Sequence, residues 1–80
     1  MFINKLKTGN NLIGERLADM RKKTGLSQKK FADRLQLLGL DVDKNAIQRI
    51  ECGKRFVTDI ELVYICRALE IDPNTLLEWK

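Results

Sequence analysis

Eighty residues suffice for one domain and leave no room for a separate sensor or catalytic unit. A hydrophobic fraction of 44% beside 32% charged residues excludes whole-chain disorder, and no apolar run approaches the roughly 18 residues of a membrane span. The formal charge of +4 is unevenly spread: residues 1–55 hold 13 Lys and Arg against 6 Asp and Glu, and residues 56–80 hold 2 against 5.

Taken in chain order, residues 1–11 (MFINKLKTGNN) carry Asn, Gly, Thr and lysines without periodicity. They read as a flexible N-terminal arm ahead of a single domain over 12–80. The arm lacks the apolar core of a secretory signal, so the expected location is cytoplasmic. From Leu12 to Lys23, Ile13, Leu17 and Met20 recur at helical spacing, and Thr24-Gly25 supplies a stop. Four later helix starts share one device. Ser27, Asp43, Thr58 and Asp72 are each good N-caps, each flanked by an apolar pair spaced as a hydrophobic staple. The pairs are Leu26 with Phe31, Val42 with Ile47, Val57 with Leu62, and Ile71 with Leu76. Thr58 adds a capping box with Glu61, and Pro73 takes a first-turn position that tolerates proline.

These signals predict five helices, at about 12–24, 28–38, 44–52, 59–70 and 73–79. No segment alternates as a strand would. The expected fold is all-α, a compact five-helix bundle. Its predicted core is Ile13, Leu17, Met20, Leu26, Phe31, Ala32, Leu35, Val42, Ile47, Ile50, Val57, Leu62, Val63, Cys66, Leu69, Ile71 and Leu76.

The third helix, DKNAIQRIE with its cap, divides into two faces. At roughly 100° per residue, Lys44, Gln48, Asn45 and Arg49 share an arc of about 140°. Ala46, Ile47 and Ile50 lie opposite, with Glu51 at their edge. One side therefore holds hydrogen-bond donors and the other packs on a domain. Such a face, beside a basic N-terminal two thirds, suits a polyanion.

The stretches IGERLADMRKKTGLSQ, Phe31-Ala32, IQRIECGKR and RALEIDPNTLL resemble the phage-repressor-type (XRE-like) helix-turn-helix family of DNA-binding regulators. The resemblance spans about four fifths of the chain. It implies a lambda-repressor-like domain whose third helix enters the major groove. The chain departs from the usual pattern at 36–41 (QLLGLD), where extra residues lengthen the turn, as in a longer-turn variety of the family.

On that resemblance, Lys44, Asn45, Gln48 and Arg49 are the candidate base readers. Asn45 and Gln48 match adenine, Arg49 can fork onto guanine, and Lys44 fits either guanine or phosphate. Gln28 at the second helix's N-terminus is the expected phosphate clamp, with Lys29 either extending it or merely solvated. Lys54 and Arg55 after Gly53 are further phosphate contacts, and Lys5 and Lys7 in the arm are others. Glu51 is implied to pair with Arg21 as architecture, with Arg21 also in reach of a phosphate. A single domain covers one half-site, so a homodimer on a palindrome is expected. Phe56, Tyr64, Leu77 and Trp79 are the candidates for its interface, the alternative being that they cap the monomer core.

Other functions fit less well. With no histidine, no phosphate loop and no paired carboxylates, an enzyme is not expected, nor are a metal, a cofactor or a small-molecule ligand. Cys52 and Cys66 read as plain thiols. The rival is a protein-interaction module of the same fold, such as an antitoxin or an antagonist of another regulator. It would tolerate acidic or bulky apolar residues on the third helix, where Lys, Asn, Gln and Arg stand instead. The reading favoured is a sequence-specific double-stranded DNA-binding transcriptional regulator, more a repressor than an activator.

Overall fold

The computed structural model describes residues 9–77. Five helices follow one another there: α1 (Gly14–Lys23), α2 (Gln28–Leu38), α3 (Lys44–Glu51), α4 (Asp59–Leu69) and α5 (Pro73–Leu77). The chain is the all-α helix bundle that the sequence predicts. Lys5, Lys7 and Trp79 lie outside the described residues.

The caps do what their chemistry dictates. Ser27 Oγ accepts from Lys30 N, Asp43 Oδ1 from Ala46 N and Asp72 Oδ1 from Asn74 N. Thr58 and Glu61 close a full capping box, each side chain accepting from the other's backbone N–H. Helix α1 is the exception. It begins at Gly14 rather than Leu12, and its N-cap Ile13 has no side chain able to cap. Asn11 takes over, its Oδ1 accepting from Ile13 N at 3.1 Å and Gly14 N at 2.7 Å. Leu12 is left exposed.

The first half of the lengthened region, residues 36–38, is the end of α2. Helix α2 continues to Leu38 and stops at Gly39, whose φ of 111° is open to glycine and strained for other residues. Leu40 N then reaches back to the Leu35 carbonyl at 2.9 Å. Gln36 Nε2 donates to the Val42 carbonyl at 2.6 Å, fixing the chain one residue before the α3 cap. The extra residues therefore hold the entry to α3 rather than loosening it.

Leu17, Phe31, Leu35, Ile47, Ile50, Ile65 and Leu76 are fully buried, so every helix contributes to one core. The expected core differs in the register of α4. Val63 is 48% exposed, and Ile65 and Ala68 are buried in its place. Leu62, Ile65, Cys66 and Leu69 form the inward stripe at three- and four-residue spacing, which turns Ile60 and Val63 outward. An unbroken run such as Leu62 to Cys66 does not reveal its inner face.

Helices α1 and α3 cross at Gly14. A Cβ there would stand 2.5 Å from the Ile50 carbonyl oxygen and 3.0 Å from that of Glu51. Gly14→Ala should therefore destabilise the domain by about 1–3 kcal/mol through forced separation, despite alanine's better helix propensity. Thermal unfolding followed by circular dichroism reads this directly. An unchanged midpoint would mean that the two helices can part without loss.

Candidate nucleic-acid interface

Helix α3 is short, and its ends are closed by side-chain and backbone bonds on both sides. Asp43 caps its start at 2.9 Å, and a left-handed Gly53 at φ 78° ends it. Gly53 N donates to Ile50 O and Lys54 N to Arg49 O, the paired bonds of a Schellman stop. Cys52 also helps, its thiol donating to the Gln48 carbonyl at 2.8 Å. Cys66, by contrast, is buried on α4, where burial and then the nearby Asp72 charge raise its thiol pKa.

Ile47 and Ile50 anchor the inner face, 0% and 2% exposed. Lys44, Asn45, Gln48 and Arg49 are all exposed on the outer face. Among the described residues, no side-chain hydrogen bond or ion pair holds any of these four. The fold thus brings four donors onto one open surface and leaves them unengaged.

Glu51 lies behind them. Arg21 Nε meets its Oε2 at 2.6 Å and Arg21 Nη2 its Oε1 at 3.0 Å. The two side chains are only 9% and 8% exposed. Arg21 Nη1 also donates to the Leu26 carbonyl at 2.7 Å, so the pair spans α1, the following turn and α3. The hydrogen bonds to Glu51 and its charge raise the Arg21 pKa above its ordinary value against the opposing effect of burial.

The residues expected at phosphates are differently placed. Gln28 Nε2 donates to Glu51 Oε1 at 2.9 Å, so this amide is oriented from inside the domain. One Nε2 hydrogen and Oε1 remain for other partners. Lys29 is well exposed and pairs with Asp33 at 3.2 Å, an i,i+4 contact of little strength. Arg55 is held more firmly, its two Nη atoms meeting both Glu61 oxygens at 3.1 and 2.8 Å. Burial pushes the Glu61 carboxyl up, but the Arg55 guanidinium and the Thr58 N–H outweigh it and hold its pKa below the usual carboxylate value. Lys54 is exposed, and no side-chain partner holds it among the described residues.

Two residues that brace the end of α3 escaped the sequence reading. Asn10 and Asn11, assigned there to the arm, hydrogen-bond to the end of α3 and the turn beyond it. Asparagine just ahead of an apolar periodic run is a capping signal, but Leu12-Ile13 drew the expected helix start too early.

The helix-turn-helix domain family matches the chain over residues 12–79. The chain belongs to that family. Among solved structures, the chain is similar to the crystal structure of the restriction-modification controller protein C.AhdI from Aeromonas hydrophila. The two are 30% identical, the match covers 80% of this chain and 89% of the controller, and the TM-score is 0.71. No curated protein matches the chain. Both matches agree with the phage-repressor-type stretches that carry the resemblance in the sequence.

The candidate dimer residues separate into two kinds. Tyr64 and Leu77 are half-buried against the core, whereas Phe56 is 57% exposed. On α4, Ile60 and Val63 are a further exposed apolar pair at three-residue spacing, 64% and 48% exposed.

Proposed function

We propose that this DNA-binding transcription regulator is a repressor that reads a palindromic operator through the major groove with α3. The observation that carries the reading is the outer face of α3, four hydrogen-bonding side chains left open while everything behind them is tied down. A major groove admits an α-helix, and its base edges present the donors and acceptors that such groups complement. Asn45 and Gln48 pair with adenine, Arg49 forks onto guanine, and Lys44 meets guanine or phosphate. Lys54, Lys29 and the free amide hydrogen of Gln28 meet phosphates. Arg55 braces the turn through Glu61 and adds its remaining N–H groups to the positive field there.

One domain covers a half-site, and a two-fold dimer supplies the other. Phe56, Ile60 and Val63 form the surface that the second copy buries. Repression follows from occupancy alone, since a bound dimer blocks a promoter without touching the polymerase. Similarity to a restriction-modification controller supports a regulatory rather than an architectural use of DNA binding.

Selection of sites from random duplex DNA with the full chain tests the whole reading. An inverted repeat with half-sites about one helical turn apart is expected. Recovery of no consensus, or of a single unrepeated site, would overturn the palindromic dimer. Failure to retain any duplex in dilute buffer would favour a protein-interaction role for the fold.

A further inference from the structure

We propose that Asn10 is a positioning residue for the DNA-backbone contact of Lys54, acting through a clasp that Gly9–Asn11 close on the turn after α3. The inference rests on the reading of Lys54 as a phosphate contact, and goes beyond it to a segment of the chain with no base or phosphate role of its own.

The clasp closes on backbone carbonyls of the last turn of α3 and of the turn beyond it, of which Ile50 O also accepts from Gly53 N. Asn10 N donates to the Gly53 carbonyl at 2.7 Å, and Asn10 Nδ2 to the Lys54 carbonyl at 3.1 Å. Asn11 Nδ2 donates to the carbonyls of Ile50 at 3.0 Å and Arg55 at 2.8 Å. Two consecutive asparagines thus take up the carbonyls of residues 50, 53, 54 and 55. The approach needs a residue without a side chain, since a Cβ on Gly9 would stand 2.4 Å from the Gly53 carbonyl oxygen.

Within the turn, Gly53 is buried and the Arg55 guanidinium is fixed on Glu61. Lys54 is the residue that projects outward. Its N–H is held by the Arg49 carbonyl at 2.9 Å and its own carbonyl by Asn10, so both flanking peptide groups are set. A lysine launched from a fixed backbone loses less freedom on meeting a phosphate than one launched from a mobile turn. Asn10 supplies the second of the two fixing bonds.

Asn10 is also a clean probe. Its Nδ2 bond is exposed, and its Oδ1 is buried with no partner among the described residues. Asn10→Ala therefore removes one weak bond together with one unpaired buried oxygen, and the fold should be nearly indifferent.

The experiment compares the full chain with Asn10→Ala, Lys54→Ala and the double variant, on a 20-base-pair random-sequence duplex over a range of salt. Lys54→Ala should lower the salt slope by about one and weaken binding. Asn10→Ala should weaken binding about three- to tenfold with a reduced salt slope and an unchanged melting temperature. The double variant should bind no more weakly than Lys54→Ala alone. Wild-type affinity and slope in Asn10→Ala, or losses that multiply in the double variant, would overturn the proposal while leaving the DNA reading intact. No binding by the wild-type chain would overturn both. Should Asn10→Ala fold poorly, Asn10→Ser, which keeps a shorter donor, is judged by the same double-variant criterion.

Discussion

Arg21→Ala is expected to destabilise the domain by about 3–5 kcal/mol, the usual cost of stranding one member of a buried ion pair. Among the described residues the Glu51 carboxylate would keep only Gln28 as a partner, at 8% side-chain exposure. The Leu26 carbonyl would lose its donor as well. A domain of this size holds about 4–12 kcal/mol in all, so the variant should lie close to unfolding at ambient temperature. Its thermal midpoint should fall by roughly 15 °C or more. Replacing both partners, as in Arg21→Met with Glu51→Leu, should recover most of the loss, because no charge is then left buried alone. Urea unfolding of the wild-type chain and the two variants measures this. A loss below about 1 kcal/mol in Arg21→Ala would put the pair in the class of solvent-screened surface bridges.

The second large effect is on recognition. Arg49→Ala should cost about 1–3 kcal/mol, some 5- to 150-fold in affinity, for the selected operator and almost nothing for unrelated duplexes. Gln48→Ala should relax the preference at a different base position. Neither change should alter stability by more than about 0.5 kcal/mol, since both side chains lack partners among the described residues. Lys54→Ala should behave in the opposite way, weakening all sequences alike and flattening the salt slope. Equal, sequence-blind losses from Arg49→Ala and Lys54→Ala would contradict the division between base readers and phosphate contacts.

Much of this was legible in the sequence because helix entry is a local event. Ser27, Asp43 and Thr58 each bond to backbone N–H groups within three residues, so their effect needs no tertiary context. The two faces of α3 followed from angular spacing alone, and the observed exposures of Lys44, Asn45, Gln48 and Arg49 agree. What escaped was non-local. Asn11 caps α1 and reaches 39 and 44 positions along the chain to the carbonyls of Ile50 and Arg55. Arg55 meets Glu61 through a turn whose path no periodicity describes. Gln28 faces inward because Glu51 already lies opposite it, a consequence of packing two helices rather than of either sequence. The inner face of α4 was ambiguous for a different reason, since apolar residues occur on both its sides.

The central claim is that DNA meets the outer face of α3. Titration of the isotopically labelled chain with its selected duplex, followed by nuclear magnetic resonance, tests it most directly. The largest shifts are expected in the side-chain amides of Asn45 and Gln48 and in the backbone of Lys44 to Arg49, with smaller ones at Gln28 and Lys54. Shifts confined to the Phe56, Ile60 and Val63 surface, with the α3 amides unmoved at saturation, would contradict it.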